Sequence, residues 1–152
     1  MKQYKHTQIG YLLIIVLGVA IVLIGNLVFI TDFNPTTVIM LAFMVLCLGS
    51  FATLTVEVDD RAVNLRFGIG LIRKRFLLED VESYRAVKNP LYYAWGIHVI
   101  PNGWIFNVSG TQAVELQMKN GRKYRIGTDD VHGLANAVEA YVQKNQRTQS
   151  GK

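Results

Sequence analysis

The sequence predicts a membrane α-helical hairpin joined to an α+β domain, in which an antiparallel β-barrel or sandwich is capped by one C-terminal amphipathic helix. Two long apolar runs without a charge lie in the first third of the 152-residue chain. After them, apolar and polar residues alternate as they do in half-buried strands, and two Asn-Gly pairs interrupt the alternation. The last apolar residues, from Val131 to Val142, recur at helical spacing instead.

The first apolar run covers residues 9–30, which are 22 residues without a charge. A helix of this length extends about 33 Å, enough to cross a hydrocarbon core of about 30 Å. The run exceeds the apolar region of a signal peptide, which has about 7–15 residues, and no small-residue cleavage site is evident. We therefore expect a retained transmembrane helix.

The second apolar run covers residues 38–55 and is also uncharged. The short segment between the two runs contains Asn34-Pro35, a pair that ends a helix and turns the chain. So short a connection favours two antiparallel neighbouring helices. The sequence thus predicts an N-terminal transmembrane hairpin over residues 1–53, with spans at about 9–30 and 38–55.

The positions of Lys and Arg predict how the hairpin lies in the membrane. Lys2 and Lys5 precede the first run, whereas the connecting segment holds only an acidic residue, Asp32. Five basic residues follow the second run within about 20 positions: Arg61, Arg66, Arg73, Lys74 and Arg75. Because basic residues favour the cytoplasmic side, we expect a multi-pass protein of the cytoplasmic (inner) membrane with both termini in the cytoplasm.

The second part of the chain, residues 54–145, is predicted to form a compact domain of six or seven antiparallel strands and one helix. Asp59-Asp60 and the residues 68–70 mark turns between apolar-polar alternations. Asn102-Gly103 and Asn120-Gly121 each separate two strand-like segments, and Asn-Gly is favoured in hairpin turns because both residues tolerate positive φ.

The helix that ends this domain is expected to start after Thr128, Asp129 and Asp130. These side chains suit the cap and the positive end of a helix dipole. The residues 146–152 are polar and are predicted to form a disordered tail.

Three segments of this domain carry a family resemblance: residues 76–84 (FLLEDVESY), 103–110 (GWIFNVSG) and 126–130 (IGTDD). In order and spacing they resemble the small bacterial membrane proteins that carry a pleckstrin-homology-like (PH-like) domain. The resemblance covers residues 54–143. It implies a PH-like barrel closed by the C-terminal helix, acting as an interaction module rather than as an enzyme.

No pattern in the sequence points to catalysis, a cofactor or a metal. Gly68 and Gly70 lack the third glycine and the Lys-Ser/Thr of a phosphate loop, and a β-turn explains them. Cys47 is the one cysteine of the chain and lies in an apolar run. His98 and His132 have no partner at a catalytic or metal-binding spacing. We therefore expect a protein that is not an enzyme and binds neither cofactor nor metal.

The strongest basic cluster is Arg73-Lys74-Arg75. Residues 61–152 hold 14 basic and seven acidic residues, a net charge of +7 that suits an anionic leaflet. In a strand, Arg73 and Arg75 share one face while Lys74 points to the other. The cluster is predicted to contact the membrane surface, or else to be a solvated edge that blocks strand pairing. The acidic Asp59-Asp60 turn argues against specific recognition of inositide lipids.

An aromatic segment, Tyr92, Tyr93 and Trp95, is a second candidate surface, since exposed Tyr and Trp often anchor partners. Core packing or a membrane-interface contact is the alternative. We thus expect an interaction module, tethered to the lipid bilayer, that binds the anionic membrane surface or another membrane or cytoplasmic protein. Nucleic acid is not expected, because the basic residues form no single stripe. The alternative function is an envelope-protection, immunity-type or accessory subunit in which the helical hairpin is the functional part.

Overall fold

The structure, a computed structural model, describes residues 4–150, with side chains described as far as residue 143. Strands and helices follow one another as β1 (Tyr4–Ile9), α1 (Tyr11–Ile30), α2 (Pro35–Phe51), β2 (Thr53–Val58), β3 (Ala62–Phe67), β4 (Ile72–Leu77), β5 (Val81–Lys88), β6 (Gly96–Ile100), β7 (Gly103–Asn107), β8 (Gln112–Met118), β9 (Lys123–Gly127) and α3 (Val131–Ser150). The α+β class is confirmed. Short 3₁₀ turns at Leu78–Asp80 and Leu91–Tyr93 precede β5 and β6.

The strands form two separate sheets rather than one closed barrel. The first sheet has the order β1-β2-β3-β4 and is antiparallel throughout. The second has the order β5-β8-β9-β7-β6 and is mixed, because β9 pairs with β8 antiparallel but with β7 parallel. This parallel pair corrects the expectation of antiparallel strands alone. Alternation along a strand reports which face is buried, but it carries no information about the direction of a non-sequential neighbour.

The first strand, Tyr4–Ile9, corrects the predicted domain boundary. The sequence placed residues 1–53 in the membrane hairpin, yet β1 pairs with β2 from Tyr4 opposite Val58 to Ile9 opposite Thr53. The two apolar helices are therefore inserted between two neighbouring strands of one sheet. No local signal revealed β1, since most of its length is polar and its partner lies more than 40 residues along the chain.

The two apolar runs form helices, as predicted, with shifted ends. α1 begins at Tyr11 because Ile9 belongs to β1, and α2 ends at Phe51 because the alternation from Leu54 onward already forms β2. Pro35 occupies the first turn of α2, where a missing N–H costs nothing, and the Asn34 side chain accepts a 2.9 Å hydrogen bond from the Thr36 backbone N–H. α1 and α2 pack against each other.

The core lies between the two sheets and α3. A row of aromatic rings connects the sheets: Phe67 to Phe106 (6.3 Å between ring centroids), Phe106 to Phe76 (6.0 Å) and Phe76 to Tyr124 (4.5 Å). The predicted helical stripe is confirmed, because every apolar member of it packs on this core. Leu134 and Val138 are fully buried, and Val131, Ala135, Tyr141 and Val142 are partly buried.

Both Asn-Gly pairs lie in hairpin connections, as predicted, but neither turn has positive φ at both residues. Between β6 and β7 the positive φ falls on Asn102 after Pro101, as in a type II turn. Between β8 and β9 it falls on Gly121, where the Gly121 N–H donates to the Met118 carbonyl. The tail predicted at residues 146–152 is helical as far as Ser150, and residues 151–152 lie outside the described part.

Candidate membrane-facing surface

The two helices leave the first sheet at one end, which we call the helix-junction end. Ile9 and Thr53 are the last paired residues there, and Gly10 N–H donates a 2.8 Å hydrogen bond to the Ala52 carbonyl. α1 then runs for 20 residues without a charged side chain. Among the described residues it is the one helix long and apolar enough to cross a membrane, and α2 is shorter, with 17 residues.

The basic cluster lies on β4, at the edge of the first sheet. Arg73 and Arg75 share the outer face, as the alternation predicted, while Lys74 is paired opposite Leu65 on the other face. All three side chains are exposed. The structure adds a fourth basic residue, because Arg66 of β3 lies directly opposite Arg73. We call Arg66, Arg73, Lys74 and Arg75 the basic patch.

Arg66 was missed as a site residue, although the sequence holds a signal for it. Arg66 and Arg73 flank the turn of residues 68–71, each separated from it by one apolar residue. A hairpin closed by that turn pairs Phe67 with Ile72 and therefore brings the two arginines together. Register across a turn, rather than composition, identifies this pair.

The surroundings of the basic patch leave room for an anion. A shallow groove of about 420 Å³ on this sheet is lined by the patch together with Thr55, Glu57, Asn64 and Leu65. Within the described part of the chain, no carboxylate lies within 4.0 Å of the Arg66 or Arg73 guanidinium. Arg73 Nε instead donates a 2.8 Å hydrogen bond to the Gly70 carbonyl oxygen.

The acidic turn between β2 and β3 has a structural role at the other end of the sheet. Asp59 Oδ1 accepts 2.8 Å hydrogen bonds from the Arg61 and Ala62 backbone N–H groups, and Oδ2 accepts one from Asn64 Nδ2. The hydrogen bond from Arg61 is the main reason that the pKa of Asp59 is lowered. This carboxylate closes the turn, and the length of β2 separates it from the helix-junction end.

The turn between β3 and β4 contacts α2 directly. Ile69 N–H donates a 3.0 Å hydrogen bond to the Gly49 carbonyl, and Gly68 N–H donates a 2.8 Å bond to the Thr53 carbonyl. Ile69 and Leu71 are nonetheless 67% and 63% exposed, although both are large apolar side chains. The sequence predicts only a turn here, because the solvent exposure of an apolar residue cannot be inferred from its type.

The aromatic segment lies beside the second sheet, before β6. Tyr92 is 70% exposed and Trp95 41%, whereas Tyr93 is half-buried between the Tyr92 and His98 rings, at 4.4 and 5.3 Å. Tyr93 is therefore partly covered by neighbouring rings, whereas Tyr92 and Trp95 present exposed aromatic surface.

Asn107 connects this segment to the helix-junction end. Its Nδ2 donates hydrogen bonds to the carbonyls of Tyr93 and Gly110, and the neighbouring Ser109 carbonyl accepts a 2.8 Å bond from Gln8 Nε2 in β1. The aromatic segment and the basic patch thus belong to different sheets and do not form one site. The contacts through Asn107 link the aromatic segment to the end of the domain from which α1 starts.

A cross-strand charge triad in the second sheet surrounds the buried carboxylate of Glu115. Glu115 of β8 lies opposite Arg85 of β5 on one side and opposite Arg125 of β9 on the other. Its carboxylate accepts hydrogen bonds of 2.9 Å from Arg85 Nε and 2.7 Å from Arg125 Nε, and Arg125 also donates to Asn89 Oδ1. Burial by itself would raise the pKa of Glu115, but the two arginines outweigh it and lower the pKa. An ionised, fully bonded carboxylate is suited to holding strands together rather than to proton transfer.

Among the described residues, no group of three or more His, Cys, Asp or Glu side chains is arranged to hold a metal ion. Comparison of the chain with protein-family models, with curated proteins and with solved structures gives no match.

Proposed function

We propose that this protein is a membrane-anchored interaction module without catalytic activity, whose basic patch binds anionic lipid headgroups. One observation carries the proposal. Arg66 and Arg73 are directly opposed on neighbouring strands, exposed, and without a carboxylate partner among the described residues, at the end of the sheet where α1 and α2 meet it. Like charges directly opposite each other destabilise a sheet. A lipid phosphate between the two guanidinium groups offsets this repulsion and accepts their bidentate hydrogen bonds.

In the proposed topology, the basic patch faces the cytoplasmic leaflet. We infer that α1 and α2 both cross the bilayer, so that both termini and the β domain are cytoplasmic. The asymmetry of Lys and Arg around the hairpin supports this orientation. The cytoplasmic leaflet carries the anionic lipids that attract basic segments.

We further propose that the β domain is PH-like. Two packed sheets and a C-terminal helix that covers β5 and β8 support this assignment. The parallel β7–β9 pair is a departure from the antiparallel meander that the resemblance implies.

The tether makes weak lipid binding sufficient. Each basic residue near an anionic surface contributes about 1 kcal/mol, so the three arginines of the outer face contribute about 3 kcal/mol at most. Alone, this corresponds to an affinity weaker than millimolar, because a dissociation constant of 1 mM requires about 4 kcal/mol. The hairpin keeps the domain at the membrane, where the local concentration of headgroups is high, so binding becomes effectively intramolecular.

The experiment compares the lipids that the full-length protein retains when it is purified from a neutral–anionic lipid mixture and measured by native mass spectrometry. The wild type is expected to retain anionic lipid in preference to neutral lipid, and less of it as salt is raised. The variant Arg66→Ser/Arg73→Ser/Arg75→Ser is expected to lose the preference. The matched control removes the same charge from the β8–β9 connection and the first residue of β9, as Lys119→Ser/Arg122→Ser/Lys123→Ser, and is expected to keep the preference.

Equal lipid retention by the wild type and the basic-patch variant would reject lipid binding at this patch. A protein partner at Tyr92, Tyr93 and Trp95 would then be the favoured proposal. Its test is capture of a partner by the wild type that fails with Tyr92→Ser.

A further inference from the structure

The turn between β3 and β4 completes the end of α2. The last carbonyl groups of a helix have no partner within it, and inside a bilayer an unpaired carbonyl is costly. Gly49, two residues before the end of α2, has its carbonyl bonded to Ile69 N–H at 3.0 Å. Gly68 allows this approach, because a Cβ on it would lie 1.9 Å from the same carbonyl oxygen. The turn is therefore held against the last turn of α2.

This attachment sets the depth of Ile69 relative to the helix. α2 has 17 residues and is about 26 Å long, which is slightly less than the hydrocarbon core that it must cross. All of α2, including Gly49, is thus needed within the apolar layer or at its boundary. Ile69 lies beside Gly49, with its Cγ2 atom 3.9 Å from the position that a Gly49 Cβ would take. The turn consequently lies at the boundary between headgroups and acyl chains.

The chemistry of the turn matches this boundary. Its two large side chains, Ile69 and Leu71, are apolar and mostly exposed within the protein. The residues that flank it on the outer face are Arg66 and Arg73, and Arg73 reaches back to the Gly70 carbonyl. The turn thus has an apolar tip with two guanidinium groups beside it. In this arrangement the charges can stay at the lipid headgroups while the apolar side chains enter the membrane.

We propose that residues 68–71 are a membrane-inserting turn: Ile69 and Leu71 enter the acyl-chain region of the leaflet that the domain faces, and Arg66 and Arg73 bind lipid phosphates above them. The bilayer is the occupant that fits, because the hydrogen bond to Gly49 fixes the turn beside a membrane helix. The inference rests on the proposed membrane anchoring by both helices. Insertion itself is apolar and does not require that the basic patch select anionic lipid.

The consequence is a firmer hold on one end of the first sheet. The helices hold this end at the junctions of β1 with α1 and of α2 with β2, and the inserted turn extends the attachment to β3 and β4. All four strands of the sheet are thus held along the same end. The domain is therefore expected to keep this end of the sheet on the leaflet rather than to swing freely on the hairpin.

The test uses the full-length protein in bilayer nanodiscs, with a nitroxide spin label at single cysteines in a Cys47→Ala background. Labels at Ile69→Cys and Leu71→Cys are compared with a label at Glu79→Cys, an exposed position after the opposite end of β4. Collision with oxygen, which concentrates in the acyl region, is measured against collision with a water-soluble nickel chelate. Labels at positions 69 and 71 are expected to favour oxygen, and the label at position 79 to favour the nickel chelate.

The proposal of an inserted turn is rejected if the labels at 69 and 71 favour the nickel chelate as strongly as the label at 79 does. Circular dichroism of each labelled variant establishes that it is folded, and two insertion positions guard against a local effect of one label. The result is separable from lipid selection by the basic patch. A water-exposed turn in a protein that still retains anionic lipid rejects insertion alone, whereas an inserted turn without lipid preference rejects only the selection.

Discussion

The hydroxyl of Tyr4 donates a 3.1 Å hydrogen bond to Asp130 Oδ2, which joins the first described strand to the start of the last helix across 126 positions of the chain. The other oxygen of this carboxylate, Oδ1, accepts a 2.9 Å bond from Gly133 N–H and so caps α3. His6, two positions further along β1, is also paired with Asp129, the residue before Asp130, with 2.5 Å between Nε2 and Oδ1. Burial, and then the bond to Asp130, raise the pKa of Tyr4. One carboxylate thus links the two ends of the domain.

Removal of the Tyr4 hydroxyl is expected to destabilise the domain modestly. Tyr4→Phe keeps the ring and deletes one half-buried hydrogen bond, which costs about 1 kcal/mol. Asp130→Ala also deletes the helix cap and is expected to cost about 2 kcal/mol. Thermal unfolding of the full-length protein in detergent, followed by near-ultraviolet circular dichroism, measures both. Tyr92→Phe, at an exposed ring, is the control, and an equal effect from it would contradict the role of the Tyr4 bond.

The β domain is expected to need β1 for its full stability. The sequence predicts that residues 54–145 fold alone, but this fragment lacks the strand that covers the edge of β2. Gly10 and Ala52 are hydrogen bonded to each other, so a short Gly-Ser linker can replace residues 11–51 and restore a β1–β2 hairpin. We expect the linked protein to unfold cooperatively in urea at a higher midpoint than the fragment 54–145. Equal midpoints would show that β1 contributes nothing.

The Arg85–Glu115–Arg125 triad is expected to make stability depend on acid. Glu115→Gln leaves the largely buried Arg125 without its charged partner and is expected to cost about 3 kcal/mol. Arg85 is 63% exposed, so Arg85→Gln is expected to cost less than about 1 kcal/mol.

The direction of the acid effect follows from the pKa of Glu115, which is lowered in the folded state. The triad therefore contributes its full stability above the unfolded-state value of about 4.3 and loses it as the pH falls through the folded-state value. Urea unfolding at a series of pH values is expected to show a steeper acid loss for the wild type than for Glu115→Gln. Parallel curves would contradict the lowered pKa.

Gly68 is expected to be essential for the packing of the β3–β4 turn on α2. An alanine there meets both a positive φ of 42° and the Gly49 carbonyl, and we expect a loss of about 3 kcal/mol. Gly110→Ala is the matched control, because Gly110 has a φ of 70° and open space around its Cβ position, so its cost is only about 1–2 kcal/mol. Thermal unfolding of the two variants measures the difference. If Gly68→Ala is as stable as Gly110→Ala, the turn is not packed closely against α2.

The proposed orientation in the membrane is tested by reporter fusions. A reporter that is active only in the cytoplasm is expected to be active when fused after Lys152. A reporter that is active only outside the cytoplasmic membrane is expected to be active when inserted in the segment 31–34. The physical reason is the absence of Lys and Arg from that connection and their abundance after α2. The same insertions in a variant with Asp32→Lys and Thr31→Lys are expected to show a weaker preference for this orientation. The reverse pattern in the wild type would place the basic patch on the external face and remove the basis for its proposed lipid.

The sequence determined those features of this protein that depend on periodicity and on residue type. Uncharged length identified the two apolar helices, alternation identified β2 and β3, and the stripe that contains Leu134 and Val138 identified the buried face of α3. Turn chemistry located the hairpin connections at Asn102 and Gly121. Each of these signals lies within a few neighbouring residues, where side-chain direction follows directly from local backbone geometry.

Tertiary structure alone decided which distant segments meet. β1 is mostly polar, and its assignment depends on pairing with β2 beyond the two helices. The parallel β7–β9 pair and the triad around Glu115 likewise depend on strand order, which alternation does not encode. The candidate site follows the same division: Arg73, Lys74 and Arg75 stand out in the sequence, whereas Arg66 joins them through register and Ile69 gains its position through one hydrogen bond to Gly49. Such contacts form only when the whole chain is folded, because each joins residues far apart in the sequence, whose relative positions local backbone geometry does not determine.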